Sequence, residues 1–226
     1  MTAPVFGMQF TRPADEPIPV TGADFSKAWL IETSADADAT VFPIGTPVRF
    51  STSDPAYTSK LGTGLLADAV KAINSQLGPV NIGADIVVTR VAESTNVNAA
   101  ARLAETSASI VAALATAATL PSKVNMTPRL IWAGRTAWRV DLNTTNPVVA
   151  ALPAACAALL AVAVVDVDDT SSANAIDARE TMNSERLMPV GVAARVYEGA
   201  SLVTRPMGPR VIGLFIRVDN EHEGKP

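Results

Sequence analysis

The chain has 226 residues, of which 48% are hydrophobic and 5% aromatic, and its formal net charge is −4. This composition supports a core of Ala, Val, Leu and Ile and excludes a largely disordered chain. Lys and Arg occur singly rather than in clusters, which argues against nucleic acid or an anionic membrane as a direct partner. Cys156 is the single cysteine, so an intrachain disulfide is excluded, and we expect a small buried hydrophobe there.

The first twenty residues are rich in proline and poor in helix formers. We predict an extended arm over residues 1–20, with a short strand near Val5 to Phe10, that is ordered mainly by a neighbouring molecule. Its candidate contact residues are Val5, Phe6, Met8, Phe10 and Ile18. These opening residues have neither the basic region nor the apolar region of a secretion signal, so we expect folding in a reducing cytoplasm.

Residues 21–93 predict a small α+β domain. The apolar spacing from Leu65 to Leu77 predicts a helix packed on one face, and Gly78 and Pro79 end it. Strands are predicted at Lys27–Thr33, Val48–Phe50 and Ile86–Val91.

Residues 94–226 alternate predicted helices and strands, which indicates an α/β domain with an open, mostly parallel sheet. Helices are predicted at Val97–Ala118 (with a break near its centre), Val148–Leu159 and Asn174–Asn183, the last capped by Ser171 or Ser172. Strands are predicted at Arg129–Ala133, Leu160–Val165 and Leu187–Val196, the last at an edge or bulged because it contains Pro189. For Met207–Val218 the apolar spacing favours a helix over a strand, although Gly213 weakens that preference.

The uncharged stretch Val148–Val165 has nearly the length of a membrane span. It is rich in alanine, contains Pro153 and runs directly into Asp166. We interpret it as a buried helix followed by a buried strand.

Two features hint at an enzyme. Asp166, Asp168 and Asp169 follow a predicted strand, where open α/β sheets often place their sites. The run Gly62–Ala67 fits the Gly-x-Gly-x-x-Ala pattern of dinucleotide-binding loops, but the polar loop Ser51–Lys60 separates it from the nearest strand. Aspartates also terminate strands routinely, and position alone is fold-level analogy, so we favour structural roles for both features.

His222 is the only histidine and lies in a charged segment near the last residue of the sequence. A Ser-His-Asp relay needs a rigidly held histidine, and zinc sites with two or more His or Cys are excluded by count. The cluster of Asp219, Glu221, His222 and Glu223 is interpreted as a solvated face. We therefore predict a protein that is not an enzyme, with no catalytic, cofactor or metal site.

Several segments, taken in order, resemble the tail sheath proteins of contractile bacteriophages. Within the first ninety residues these are Phe6–Phe10, Glu16–Val20, Ala28–Asp38, Phe42–Val48, Gly64–Ile73 and Ile86–Val91. Thinner matches follow at Pro128–Gly134, Leu159–Val165 and Gly208–Asp219. As an ordered set the matches are more specific than any one of them alone.

The resemblance implies a structural subunit of a virion tail that is assembled in the host cytoplasm. Residues to about Glu93 would form the small N-terminal domain, and residues 94–226 part of a core called subtilisin-like for its topology rather than for proteolysis. Subunits of this family polymerise around the tail tube, and extended arms add strands to neighbouring sheets. Contraction, a rigid-body movement of subunits, drives the tube through the host envelope for genome ejection. The implied partners are further copies of the chain, the tail tube, the baseplate and the tail terminator, without direct contact to nucleic acid or membrane.

Sheath subunits usually continue into a C-terminal domain and arm, whereas this sequence stops at Gly224-Lys225-Pro226, so we expect a truncated core. Two alternatives stay open. One is a small-molecule-binding α/β enzyme that uses Asp166, Asp168 or the Gly62 loop. The other is a different structural component of a contractile injection machine, in the baseplate or associated with the tube.

Overall fold

A computed structural model describes residues 24–78, 83–139, 141, 144–168 and 170–222. The predicted arm, including Val5, Phe6, Met8, Phe10 and Ile18, lies outside the described residues, as do Asp169 and Glu223. The strands are β1 Ala28–Thr33, β2 Pro47–Ser51, β3 Asp85–Val91, β4 Leu130–Ala133, β5 Val162–Asp166, β6 Leu187–Val190, β7 Ala193–Glu198 and β8 Ser201–Pro206. The helices are α1 Pro55–Thr58, α2 Leu65–Asn74, α3 Ala99–Leu114, α4 Leu120–Val124, α5 Pro147–Leu159, α6 Ser172–Glu180 and α7 Gly208–His222, with a 3₁₀ turn at Ala117–Thr119.

Six strands form one mixed sheet in the order β2-β3-β1-β4-β5-β6. All neighbouring pairs are parallel except β2–β3, which is antiparallel. The predicted α/β class with a mostly parallel sheet is confirmed. β1 lies inside the sheet, and all six of its residues are buried, as expected for a parallel strand covered on both faces.

Helices cover both faces of this sheet. Along β1, Trp29 and Ile31 join a core cluster with residues of α3, α5 and α6, whereas Ala28 and Leu30 join a second cluster with residues of α2 and α7. This alternation follows from the two-residue period of a strand. Each half of the chain contributes strands to the one sheet, and the boundary predicted near residue 93 falls between β3 and α3.

The predicted buried helix and buried strand after residue 147 are α5 and β5. Asn146 caps α5 by accepting hydrogen bonds from the backbone N–H groups of Val148 and Val149, and Pro147 takes the first helical position. The helix continues through Pro153 and ends at Leu160, which has a left-handed backbone.

One helical segment, Ala99–Val124, has the length and apolar composition of a membrane span. In the fold it packs against β1, β3 and α5. Core helices of water-soluble proteins pass the same test of length and composition, so this property alone assigns no membrane role.

Three local predictions were wrong or incomplete. The strand predicted over Leu187–Val196 divides at Gly191 and Val192 into β6 and β7, which belong to different sheets. β8 was not predicted at all, and it pairs with β7 in a separate antiparallel hairpin. The helix predicted to Ala118 ends at Leu114, and the break lies at this end rather than at the centre.

Pro189 lies in the edge strand β6, as predicted. The carbonyl groups of Arg186 and Val190 accept hydrogen bonds from β5, so alternate residues of β6 face that neighbour. Pro189 therefore faces outward, where its missing N–H removes no ladder hydrogen bond and leaves the free edge one donor short for further pairing.

Candidate functional site

The carboxyl ends of the parallel strands are where an open α/β sheet would place a ligand. The ends of β1, β4 and β5 lie at this edge, and Glu32, Arg135 and Asp166 are charged residues at or directly after these ends. We therefore built the candidate site from these three residues and the loops that follow their strands.

Asp166, the strongest enzyme-like residue of the sequence, is a helix cap in the structure. Its Oδ1 accepts a hydrogen bond from the backbone N–H of Gly208 at 2.7 Å, and its Oδ2 accepts one from Nε1 of Trp132 at 2.8 Å. A Cβ at position 208 would lie 2.8 Å from Oδ2, so only glycine fits. The carboxylate lies at the positive N-terminal end of α7. Its Oδ1 holds the start of α7 onto β5, and its Oδ2 holds the indole of Trp132 on β4.

Asp168 stabilises the turn that leads into α6. Its carboxylate accepts hydrogen bonds from the backbone N–H of Thr170 at 2.9 Å and the hydroxyl of Thr170 at 2.6 Å. The hydroxyl hydrogen bond is the main reason that the pKa of Asp168 is lowered. Ser171 then caps α6 by accepting a hydrogen bond from the backbone N–H of Asn174 at 3.1 Å, as predicted. The two described aspartates are thus structural, and Asp169 lies outside the described residues.

Sequence reasoning missed a buried ion pair at the same edge. Glu32 is fully buried, and its Oε1 accepts hydrogen bonds from the backbone N–H of Thr33 at 2.9 Å and from Nε of Arg135 at 3.1 Å. A second guanidinium nitrogen of Arg135 lies 3.8 Å from a carboxylate oxygen of Glu93. One arginine therefore joins the ends of β1 and β4 to the segment after β3.

The other oxygen of Glu32, Oε2, is buried without a hydrogen-bond partner. A Cβ at Gly134 would lie 1.4 Å from it, so Oε2 occupies the space that a side chain at position 134 would need. The sequence offers two signals for this contact, a charged residue inside the apolar run of β1 and a glycine directly after β4. The sequence alone does not show that these two residues are neighbours in the fold.

The Gly62 loop is tied to the connection after β1. The hydroxyl of Ser34 donates to the carbonyl groups of Leu61 and Thr63, and the hydroxyl of Thr63 donates to Asp36 Oδ2 at 2.6 Å. Gly62 has a positive φ of 72°, and a Cβ there would overlap the backbone of Asp36. The preceding strand β2 ends at Ser51 and α1 intervenes, so the strand-to-turn geometry of a dinucleotide loop is absent from this region.

The remaining candidate groups lie apart from this edge. His222 is the exposed last residue of α7, and the described residues contain no group of His, Cys, Asp and Glu that could hold a metal ion. Cys156 is buried in α5, and burial raises the pKa of its thiol to about 11. A thiol with this pKa is almost entirely protonated at neutral pH and is a poor nucleophile.

The described surface also has two open clefts. One, of about 370 Å³, is lined by the ends of β1 and β3, including Ser34, Arg90 and Glu93. The other, of about 450 Å³, separates α2 from the hairpin and is lined by Lys71, Tyr197 and other residues of both signs of charge. In the first cleft, Arg90 of β3 already donates to the carbonyl groups of Ala37 and Phe42 in the connection after β1.

Comparisons with known proteins add no relative. No protein-family model matches the chain, and no curated protein sequence matches it. Function is therefore argued from the residues and their geometry.

Proposed function

We propose that this protein is a structural subunit of a contractile tail sheath, which polymerises around a tail tube and contracts to drive the tube through a host envelope. The observation that carries the proposal is the ordered series of sheath-like segments. Four of these segments overlap elements of the fold: the first part of Ala28–Asp38 is β1, and Gly64–Ile73, Ile86–Val91 and Gly208–Asp219 overlap α2, β3 and α7.

In this proposal, residues 1–20 are an inter-subunit arm, residues 21–93 the small N-terminal unit and residues 94–226 part of the sheath core with its subtilisin-like topology. The partners are further copies of the chain, the tail tube, the baseplate and the tail terminator. The protein works in the virion tail after assembly in the host cytoplasm, without a cofactor and without direct contact to nucleic acid or membrane.

The roles of the acidic residues also favour a structural subunit over a small-molecule enzyme. Asp166 and Asp168, which an enzyme of this class would use, stabilise the starts of α7 and α6. Moving the Asp166 carboxylate to a substrate would leave the backbone N–H of Gly208 unpaired, at a cost of about 1–3 kcal/mol.

Negative-stain electron microscopy of the purified chain tests the proposal. We expect hollow tubes or stacked rings, because a sheath subunit assembles with copies of itself. Dispersed monomers together with a large thermal shift on addition of a nucleotide or divalent cation would overturn it in favour of an enzyme. A matched Asp166→Asn variant serves as the control, since the enzyme hypothesis places the ligand on this carboxylate.

A further inference from the structure

The open cleft between α2 and the hairpin carries more positive than negative charge. Its volume of about 450 Å³ lies in the range of small-molecule sites in proteins. Its charged side chains are three cations and two carboxylates, namely Lys71, Arg205, Arg210, Asp68 and Glu198. The chain as a whole has a net charge of −4, so the positive sign is a local property of this cleft.

Arg205 holds both carboxylates of the cleft. Its Nε lies 3.0 Å from Oδ2 of Asp68, and its Nη2 lies 2.8 Å from Oε2 of Glu198. These ion pairs join α2 to the hairpin. Among the described residues, no ion pair joins Lys71 or Arg210 to either carboxylate, so the negative charges of the cleft are held by Arg205.

Lys71 and Arg210 are the two cations of the cleft without an acidic partner. In the part of the chain that the structure describes, the ammonium group of the exposed Lys71 forms no hydrogen bond or ion pair. The half-buried guanidinium of Arg210 donates to the carbonyl group of Pro206 at 3.4 Å. A guanidinium carries several N–H donors, so Arg210 has donors left for a ligand in the cleft.

The packing of α2 against α7 brings these two cations to the same level of the cleft. Gly213 of α7 lies against α2, since a Cβ there would be 2.8 Å from the carbonyl oxygen of Ile73. About one turn earlier in α7, Arg210 lines a narrow pocket together with Ala72, which is the neighbour of Lys71 in the sequence. Both cations also line the larger cleft, so one ligand can contact both.

The fold itself gives no reason for a cation at position 210. Arg210 lies in the first turn of α7, where the helix dipole makes a positive charge unfavourable. It forms no ion pair within the described ranges that would offset this cost. The positive end of the helix dipole adds to the potential of the two side chains, so this part of the cleft attracts an anion.

We propose that Lys71 and Arg210 bind a phosphate group in this cleft. A phosphate carries a charge of about −1.5 to −2 at pH 7, so it balances both cations, whereas one carboxylate would balance only one. A guanidinium binds phosphate oxygens through two parallel N–H groups, and an ammonium group binds them as a point charge. The ligand is therefore inorganic phosphate or a small phosphomonoester. The inference is independent of the proposed assembly, because it concerns a site within one chain.

Isothermal titration calorimetry of the full chain with phosphate tests this site, with chloride keeping the ionic strength constant. We expect one phosphate per chain. Lys71→Gln and Arg210→Gln should each weaken the affinity by about tenfold or more, since each removes a charge-assisted contact. Arg195→Gln is the matched control, because it removes the same charge at an exposed arginine outside the cleft, and it should bind like the wild type.

Three results would overturn the inference. The wild type could release no heat of binding at millimolar phosphate. The affinity of Arg210→Gln could equal that of the wild type, in a variant that melts at the same temperature. Arg195→Gln could weaken binding as much as the two cleft variants, which would show a response to net charge rather than to a site.

Titration with glycerol phosphate distinguishes the two sources of the phosphate group. Tighter binding than that of inorganic phosphate would assign a phosphomonoester, and equal affinities would assign free phosphate. Hydrogen-exchange mass spectrometry then locates the site. Phosphate should slow exchange in peptides covering residues 69–76 and 208–213 of the wild type but not of Arg210→Gln. Protection confined to other regions would overturn the assignment to this cleft.

Electron microscopy of the same samples separates this site from the proposed function. Phosphate binding by a chain that never forms tubes or rings would support the site and remove the sheath. Tubes formed by a chain that binds no phosphate would support the sheath and overturn the site.

Discussion

At the scale of the residue, the fold depends on polar side chains that the sheet edge holds in fixed places. Glu32 is fully buried, and among the described residues its charged hydrogen-bond partner is Arg135, with Nε 3.1 Å from Oε1. Removing one member of a buried ion pair is strongly destabilising, since it leaves a charge without compensation. Glu32 is thus a structural residue, and its buried side chain limits which residues can occupy the neighbouring positions.

We predict that Gly134→Ala lowers the free energy of unfolding by about 3 kcal/mol, because the new methyl group would meet Glu32 Oε2 in a site with no room to relax. Urea denaturation measures the effect. In a Glu32→Ala background the same substitution should cost much less, since the clashing oxygen is gone. Gly191→Ala is the matched control, because its Cβ would make ordinary contacts at 3.5 and 3.6 Å. Equal costs in both backgrounds would contradict the clash.

Cys156 gives a prediction for pH. Burial raises the pKa of its thiol to about 11, whereas an unfolded cysteine titrates near 8.5. The folded protein therefore holds its proton over a range in which the unfolded chain releases it, so this contribution to stability is complete below about pH 8.5 and is lost as pH rises to about 11.

Chemical denaturation between pH 8 and 11 tests this prediction by comparing the wild type with Cys156→Ala. The wild type should lose stability more steeply than the variant over this range. A thiol reagent at pH 8 should react with the wild type only as fast as the protein unfolds. Identical pH slopes, or fast modification of the native protein, would show that the thiol is accessible to solvent.

At the scale of the element, the sequence predicted the parts with strong local patterns. Buried parallel strands are continuous apolar runs, so β1, β3 and β5 were recognisable from composition alone. The helical spacing of α2 was equally clear. β8 contains Ser201, Thr204 and Arg205 and lacks an apolar run, so only its pairing with β7 reveals it as a strand.

Contacts between residues that are distant in the sequence could not be predicted from local sequence patterns. Glu32 meets Arg135 only because β1 and β4 are neighbours in the sheet, although 103 residues separate them. Asp166 likewise becomes a cap only when α7 packs over β5. Its position at the end of a strand was predictable, but its partners Trp132 and Gly208 were not.

The hairpin of β7 and β8 forms a two-stranded sheet that is separate from the six-stranded sheet. Gly199, with φ of 62°, forms its two-residue turn with Ala200. Arg205 of β8 forms an ion pair with Asp68 of α2 at 3.0 Å, beside the open cleft that separates α2 from the hairpin. Tyr197 is 77% exposed, and an isolated two-stranded hairpin is marginally stable in water.

We therefore predict that peptides covering residues 193–206 exchange their amide hydrogens much faster than peptides covering β1, because local opening needs little free energy where few apolar contacts hold the backbone. Hydrogen-exchange mass spectrometry of the purified chain measures this difference. Arg205→Ala should accelerate exchange in the hairpin and leave β1 unchanged. Slow exchange in both regions would mean that the hairpin opens only with the whole domain.

At the scale of the whole molecule, self-assembly requires surfaces that the monomer leaves open. The predicted arm over residues 1–20 would provide such a contact, since a proline-rich extended segment gains order from a neighbour rather than from its own domain.

Deleting residues 1–13 should leave the melting temperature nearly unchanged and abolish tubes or rings in electron micrographs, because the arm contributes to assembly and not to the core. A Gln9→Ala variant, which replaces a polar residue among the arm's apolar side chains, should assemble normally. A melting temperature lowered by about 4 °C or more, which corresponds to roughly 1 kcal/mol or more for a chain of this size, would place the arm inside the domain and contradict its role as a link between subunits.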